Sequence, residues 1–259
     1  MKKYLILIAS ALLITSCGNN VDQTDKIQKK GYFIVGLDEH FPPMGFRNEK
    51  NKIVGFDIDL AKAVADEMGL KVHFKPVQWD SIILSLNKRN IDAIWNGLTI
   101  TEGRKEDIDF SPSYLDNHQI IIVRGTSPLR QLEAFNGKIV GIQRGSTSEK
   151  AVARTHELSE ILKECRKFDN NNQALQALQN KEIDGVVVDE IFGRYYVNKH
   201  PGQFIVLDEK LGSELYAVGM RKSDERFQQM LNDALKKVVN GHKGSAISIK
   251  WFGKDILKK

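Results

Sequence analysis

Only two of the 259 residues are cysteine, Cys17 and Cys165, and the six histidines are scattered without zinc-type spacing. A Cys- or His-based metal centre is therefore not expected. No cofactor signature stands out either. The turn Gly145-Ser146-Thr147-Ser148-Glu149 lacks the lysine of a nucleotide P-loop and is not a G-x-S-x-G nucleophile elbow. Charge of one sign is not in excess: 38 basic residues face 33 acidic ones. The basic residues form no aromatic-interleaved stripe, so no nucleic-acid partner is expected. The most apolar run, Tyr4 to Ile14, is too short to span a bilayer.

That run follows Lys2 and Lys3 and has the shape of a secretion signal. It ends in Ile14-Thr15-Ser16-Cys17, which resembles the lipobox of bacterial lipoproteins. The resemblance implies removal of residues 1–16, a diacylglycerol on Cys17, and a protein exported and lipid-anchored in the cell envelope. Residues 17–25 then read as a polar, flexible tether. With Cys17 lipidated, only Cys165 remains, so the folded body has no intramolecular disulfide and must be stabilised by its core.

The chain is organised around Ile91 to Arg104, I-D-A-I-W-N-G-L-T-I-T-E-G-R. Its first five residues have the pattern of a strand buried on both faces. Asn96 and Gly97 break that run, and Thr101 is placed to cap a helix whose first turn contains Arg104. The arginine adds to the partial positive charge of the helix N-terminus, and both stand at the carboxyl end of a buried strand, where ligands of open α/β sheets bind. An anion site is the better reading than a pairing of Arg104 with Glu106 or Asp107 on its own helix.

A weak internal repeat runs through the chain. Ile34-Val35-Gly36-Leu37 returns as Ile139-Val140-Gly141-Ile142, and Ile91-Asp92-Ala93-Ile94 returns as Ile183-Asp184-Gly185-Val186. A helical stretch precedes each second copy, Trp79 to Lys88 and Asn171 to Lys181. Two rounds of βαβ construction predict two α/β lobes. The repeat also sets Asp189 level with Gly97. Asp57 and Asp59 open a helix that ends at Gly69 and read as ordinary first-turn acids rather than catalytic carboxylates. Ser146 and Glu149 fit a capping box, which predicts a second anion-binding helix terminus. Gln119 to Val123 and Leu215 to Met220 are the strand-like segments expected to join the lobes. The amphipathic stretch from Asp224 through Leu235 is expected to return to the first.

From about Lys26 to Asp255 the chain resembles the extracytoplasmic solute-binding proteins of family 3, the amino-acid receptors of ABC importers. The matching stretches are G-F-D-I-D-L at Gly55 to Leu60, the Ile91–Arg104 motif, D-F-S at Asp109 to Ser111, V-V-V-D at Val186 to Asp189 and K-W-F-G-K-D at Lys250 to Asp255. The resemblance implies a type II periplasmic-binding fold with two α/β lobes joined by two crossover strands. Lobe 1 would comprise 26–117 with 215–259, and lobe 2 would comprise 118–214. It further implies that Arg104 clamps an α-carboxylate with Thr99 and the N–H of Thr147. Asp189 would accept the α-ammonium with Gly97, Phe41 and Trp79 would sandwich the ligand side chain, and Asp38 would read its end. Asn96 departs from the small hydroxyl residue frequent there, and Gln143 lies next to the second anion terminus. Trp95 suits core or pocket wall, and Glu39 lies near Asp38.

The expected protein is a non-enzymatic receptor that delivers one amino acid to an ABC permease, without cofactor or metal. A carboxylate walled by aromatic rings favours a cationic side chain, arginine first, then lysine and histidine, with glutamine as the rival. The competing class is a secreted dehydratase on the same fold, against which Asp189 facing Arg104 favours a zwitterion.

Overall fold

The computed structural model describes residues 21–259; the leader 1–16 and Cys17 lie outside the described residues. In chain order, α1 (Thr24–Lys30) leads to β1 (Tyr32–Leu37), α2 (Phe56–Glu67), β2 (Lys71–Pro76), α3 (Ile82–Asn87) and β3 (Ala93–Thr99). Next come α4 (Glu102–Asp107), β4 (Leu115–Arg124), β5 (Ile139–Gln143), α5 (Ser148–Arg154) and α6 (His156–Ser159). After β6 (Glu164–Phe168), α7 (Asn171–Gln179) and β7 (Gly185–Asp189), the chain finishes with α8 (Glu190–Lys199), β8 (Phe204–Met220), α9 (Glu225–Asn240) and α10 (His242–Phe252).

The strands form one sheet in the order β6-β5-β7-β4-β8-β3-β1-β2, with the short strand Asp109–Phe110 set against β8. Each end is a parallel triplet, β1 between β2 and β3, and β5 between β6 and β7. The antiparallel strands β4 and β8 join them, so the molecule has two α/β lobes and two crossover strands. Both crossovers are longer than the segments expected from sequence: β8 continues back to Phe204 in the second lobe's sheet, and β4 starts at Leu115, where Leu115 to His118 pair with Ser213 to Tyr216 of β8.

The repeat is physical. Val35 and Gly36 pair with Ala93 and Ile94, as Val140 and Gly141 pair with Gly185 and Val186. In the first lobe the Asp92 carboxylate accepts the Ile34 N–H at 2.9 Å, and in the second the Asp184 carboxylate accepts the Ile139 N–H at 2.9 Å. The repeated glycine also has a cause, since a Cβ at Gly36 would meet the Ile91 side chain and one at Gly141 would meet Ile183. Every residue of β3 and β7 is buried, as expected for central strands covered on both faces.

On α9, Phe227, Leu231, Leu235 and Val238 face the core with α2 and α10. The Asp224 carboxylate accepts the Gln23 N–H at 3.2 Å, and Arg226 pairs with Asp25 at 2.9 Å and Asp22 at 3.5 Å. Gln23 and Thr24 are buried and α1 starts at Thr24, so the last residues of the expected tether are folded. Arg221 is buried between Asp224 at 2.6 Å and Asp92 at 3.0 Å. Burial pushes the Cys165 thiol up to about 11, which leaves it protonated and unreactive at neutral pH.

Candidate ligand-binding cleft

The carboxyl ends of the two parallel triplets face one another, and all ten site residues read from the sequence line one cavity between them. Asp38, Phe41, Trp79, Asn96, Gly97, Thr99 and Arg104 come from the first lobe and Gln143, Thr147 and Asp189 from the second, with Ser146 added. The cavity is tight, with room for about one water molecule. A larger guest requires the side chains to part or the lobes to open.

At one end, Thr101 caps α4 as expected, its Oγ1 accepting the Arg104 N–H at 3.2 Å. The guanidinium does not fold back onto Glu106 or Asp107. It donates to the Thr99 carbonyl at 2.8 Å and, across the lobes, to the Gly145 carbonyl at 3.2 Å. Its centre lies 5.7 Å from the Trp79 ring centroid, a cation–π distance. Burial lowers the Arg104 pKa, opposed by the negative charges of Glu214 and Asp189; at neutral pH the group stays cationic.

The facing helix differs from the capping box expected of Ser146 and Glu149. Thr147 is the residue before α5, and no side chain caps it. Ser146 Oγ instead donates to the Gln143 carbonyl at 2.8 Å, and Glu149 pairs with Lys167 at 2.6 Å. The same Ser146 oxygen accepts the Ser148 N–H at 3.3 Å, so it serves both the turn after β5 and the first N–H of the helix, one residue ahead of the cap position.

In the middle, Asp189 is buried and its Oδ1 accepts Asn117 Nδ2 at 2.7 Å and Tyr216 Oη at 2.6 Å. Burial, then the charge of Glu214, pushes its carboxyl up to about 7. Opposite it in the repeat, Gly97 has φ +60, a left-handed conformation that favours glycine. Its N–H does not face the cleft, as it donates to Asp57 Oδ2 at 2.7 Å. Asp57 is thus no ordinary helix-start acid. It is wholly buried, takes Tyr114 Oη at 2.9 Å on its other oxygen, and burial raises it to about 7. Its neighbour Asp59 is the more conventional residue, accepting Trp251 Nε1 at 2.9 Å.

At the far end, Asp38 Oδ1 accepts the His40 N–H at 2.9 Å, and the imidazole lies 3.1 Å from the same oxygen. That contact raises the His40 pKa. Asp38 Oδ2 accepts Gln143 Nε2 at 2.6 Å from the other lobe, and Gln143 Oε1 accepts Asn171 Nδ2 at 3.2 Å. Asn171, unmarked in the sequence, therefore fixes which way the Gln143 amide points. Asn96 buttresses this end, its Oδ1 accepting the Asp38 N–H at 3.0 Å. The Phe41 ring stacks on Phe192 with centroids 5.4 Å apart. Glu39 turns away to Arg47 at 2.5 Å, and Trp95 is fully buried beside Tyr114. Neither lines the cavity.

Four polar residues here escaped the sequence reading. Glu214 Oε2 accepts Thr99 Oγ1 at 3.0 Å, Asn117 Nδ2 at 2.9 Å and Gln119 Nε2 at 3.0 Å. Asn117, Gln119 and Glu214 all stand on the crossover strands, in polar stretches beside the apolar runs, and nothing local in those stretches signals that the three side chains converge. Asn171 stands at the start of α7 and looks from sequence like an ordinary helix-start residue.

Residues 33–254 match the family model described as bacterial extracellular solute-binding proteins, family 3. The chain is 28% identical to the L-cystine-binding protein TcyJ of Escherichia coli (strain K12), over 90% of this chain and 87% of that one. Among solved structures, an ABC uptake transporter substrate-binding protein from Streptococcus pneumoniae with bound histidine superposes with a TM-score of 0.88 at 34% identity, covering 92% of this chain and 99% of that one. An ancestral arginine-binding protein bound to arginine gives 0.80 at 39%, covering 86% and 99%. These neighbours have the type II periplasmic-binding fold. The chain belongs to the bacterial extracellular solute-binding proteins, family 3.

Proposed function

We propose that this chain is the extracytoplasmic receptor of an amino-acid ABC importer, that it binds one L-amino acid as a zwitterion between its lobes, and that arginine is the preferred ligand. The observation that carries the reading is the set of charges lining one cavity, Arg104 and Asp38 from the first lobe and Asp189 from the second. An α-carboxylate meets the guanidinium bidentately, the α-ammonium meets Asp189, and a cationic side chain runs between Phe41 and Trp79 to Asp38. Division of the lobes near 117/118 and 214/215 falls within the crossover strands, where a hinge belongs. The site acts by binding, with no step of chemistry.

Glutamine is the second reading, and one contact favours it. The Gln143 amide already donates to Asp38 at 2.6 Å, so a ligand carboxamide has an acceptor of the right kind. Glutamate and aspartate would bring a carboxylate to Asp38 without a countercharge and should be excluded. A thermal-shift panel of the common amino acids tests this. Arginine is expected to stabilise most, and Asp38→Asn to weaken arginine by about 10- to 100-fold, the effect of a charge-assisted hydrogen bond, while changing glutamine severalfold at most. A panel in which glutamine stabilises strongly and arginine does nothing reverses the assignment.

We further propose that Cys17 carries the membrane anchor. Cys17→Ser is expected to leave an uncleaved or unlipidated precursor, since the acyl chains attach to that sulfur. Membrane-bound, correctly processed Cys17→Ser protein would remove the anchor from Cys17.

A further inference from the structure

Asp189 does not stand alone in the middle of the cleft. One nitrogen, Asn117 Nδ2, lies 2.7 Å from Asp189 Oδ1 and 2.9 Å from Glu214 Oε2. A single amide NH₂ thus bridges two carboxyl groups, one on the strand end of the second lobe and one on a crossover strand. The Glu214 oxygen also takes Thr99 Oγ1 from the first lobe and Gln119 Nε2, whose own oxygen accepts Ser148 Oγ at 2.8 Å. Glu214 is therefore tied at once to Thr99, whose carbonyl holds Arg104, through Gln119 to the start of α5, and through Asn117 to Asp189.

The charges around this pair do not balance. Arg104 is the cation whose field both carboxyl groups share. Tyr216 Oη and Asn117 donate to Asp189 but carry no charge. The neighbouring ions are already committed to one another. Glu190 is paired with Arg194 at 2.6 Å, Lys210 at 3.0 Å and His118 at 3.0 Å. Glu214 is half-buried and opens onto a groove that Lys105, Lys150 and Arg154 also line, whereas Asp189 is buried, and a buried carboxyl beside a like charge relieves the strain by keeping a proton.

We propose that Glu214 is an additional member of the amino-acid clamp: with Asp189 it forms a carboxyl pair that holds one proton in the ligand-free cleft and releases it to solvent when an α-ammonium binds. The balance is simple. The ammonium N–H donates to the Asp189 carboxylate, its charge replaces that of the proton, and the proton leaves. The proposal rests on the amino-acid-binding reading for its last step only, because the shared proton belongs to the free protein. It concerns the α-ammonium end and so does not depend on which side chain is preferred. The upward displacement of Asp189 to about 7, with Glu214 among its causes, agrees with the geometry.

Two measurements test it. In ligand-free protein, carboxyl-carbon NMR titration, with Asp189→Asn identifying the signal, is expected to show Asp189 titrating near neutrality. Glu214→Gln is expected to move it down towards the ordinary carboxylate range. An Asp189 signal already in the ordinary range, or one that Glu214→Gln leaves where it was, overturns the pair. Calorimetric titration with L-arginine, L-histidine and L-glutamine at pH 6, in buffers of different ionisation enthalpy, is expected to show release of up to one proton and an affinity rising up to tenfold per pH unit between pH 5 and 7. Glu214→Gln should reduce both, whereas His40→Asn, which removes the titrating group beside Asp38, should leave most of the release in place. Identical apparent enthalpies in all buffers for a probe that binds would overturn the proposal. If none of the three probes binds, the amino-acid reading fails, and the NMR titration still decides the carboxyl pair.

Discussion

Arg104→Ala is expected to lower the affinity for the bound amino acid by about two to four decades while leaving the fold intact. Removing one partner of a buried charge pair costs roughly 3–5 kcal/mol, because the other charge is left enclosed without a counterpart, and each decade corresponds to about 1.4 kcal/mol. The fold should survive because the Arg104 side chain belongs to no hydrophobic cluster and makes its hydrogen bonds to two backbone carbonyls, Thr99 at the end of β3 and Gly145. Lysine is not a substitute, since a point charge cannot meet a carboxylate bidentately. Calorimetric titration of the variant, with circular dichroism to verify the fold, measures the effect. Near wild-type affinity in Arg104→Ala would remove the residue from the site and with it the orientation of the ligand.

Gly97→Ala is expected to damage both stability and binding. The residue sits at φ +60, where an L side chain costs about 1–2 kcal/mol. The added Cβ would stand 2.9 Å from the Phe41 ring and 3.0 Å from the Tyr216 ring. Moving two packed rings adds roughly 1–3 kcal/mol. A total of about 2–5 kcal/mol corresponds to a fall in Tm of roughly 5–15 °C for a chain of this size. Both displaced rings belong to the site: Phe41 walls the side-chain slot, and the Tyr216 hydroxyl holds Asp189 at 2.6 Å. Affinity should therefore drop by at least tenfold beyond any loss of folded protein. Scanning calorimetry and ligand titration on the same preparation separate the two effects, and a variant that melts and binds like wild type would show that the rings do not crowd this glycine.

What the sequence made legible was whatever local pattern controls. The I-D repeat located both halves of the sheet because the aspartate in each copy bonds to the backbone of the opening strand, and the same register put Asp189 level with Gly97. Thr101 was readable as a cap because its bond spans three residues. The missed partners lie far apart in sequence. Asp57 reaches the Gly97 N–H across 40 residues, and Glu214 reaches Asn117 across 97. A first-turn aspartate looks the same whether it faces water or supports a buried glycine, so only tertiary packing distinguishes them. The capping box failed for a smaller reason: Ser146 stands one residue ahead of the cap position, so its hydroxyl bonds back to Gln143 and reaches only the first N–H of the helix, while Glu149 is drawn to Lys167.

The clasp between Asp22, Gln23 and the start of α9 has a mechanical consequence. A pull on the chain upstream of Val21 enters the molecule through α1 and the Arg226 and Asp224 contacts, all of which belong to the body built on β1. It does not pass through β4 or β8, so a leash fastened there imposes no torque on the two crossovers. Under the anchoring and lobe closure proposed above, the lobe built on β5 would be the one that swings and the lobe built on β1 the one held at the membrane.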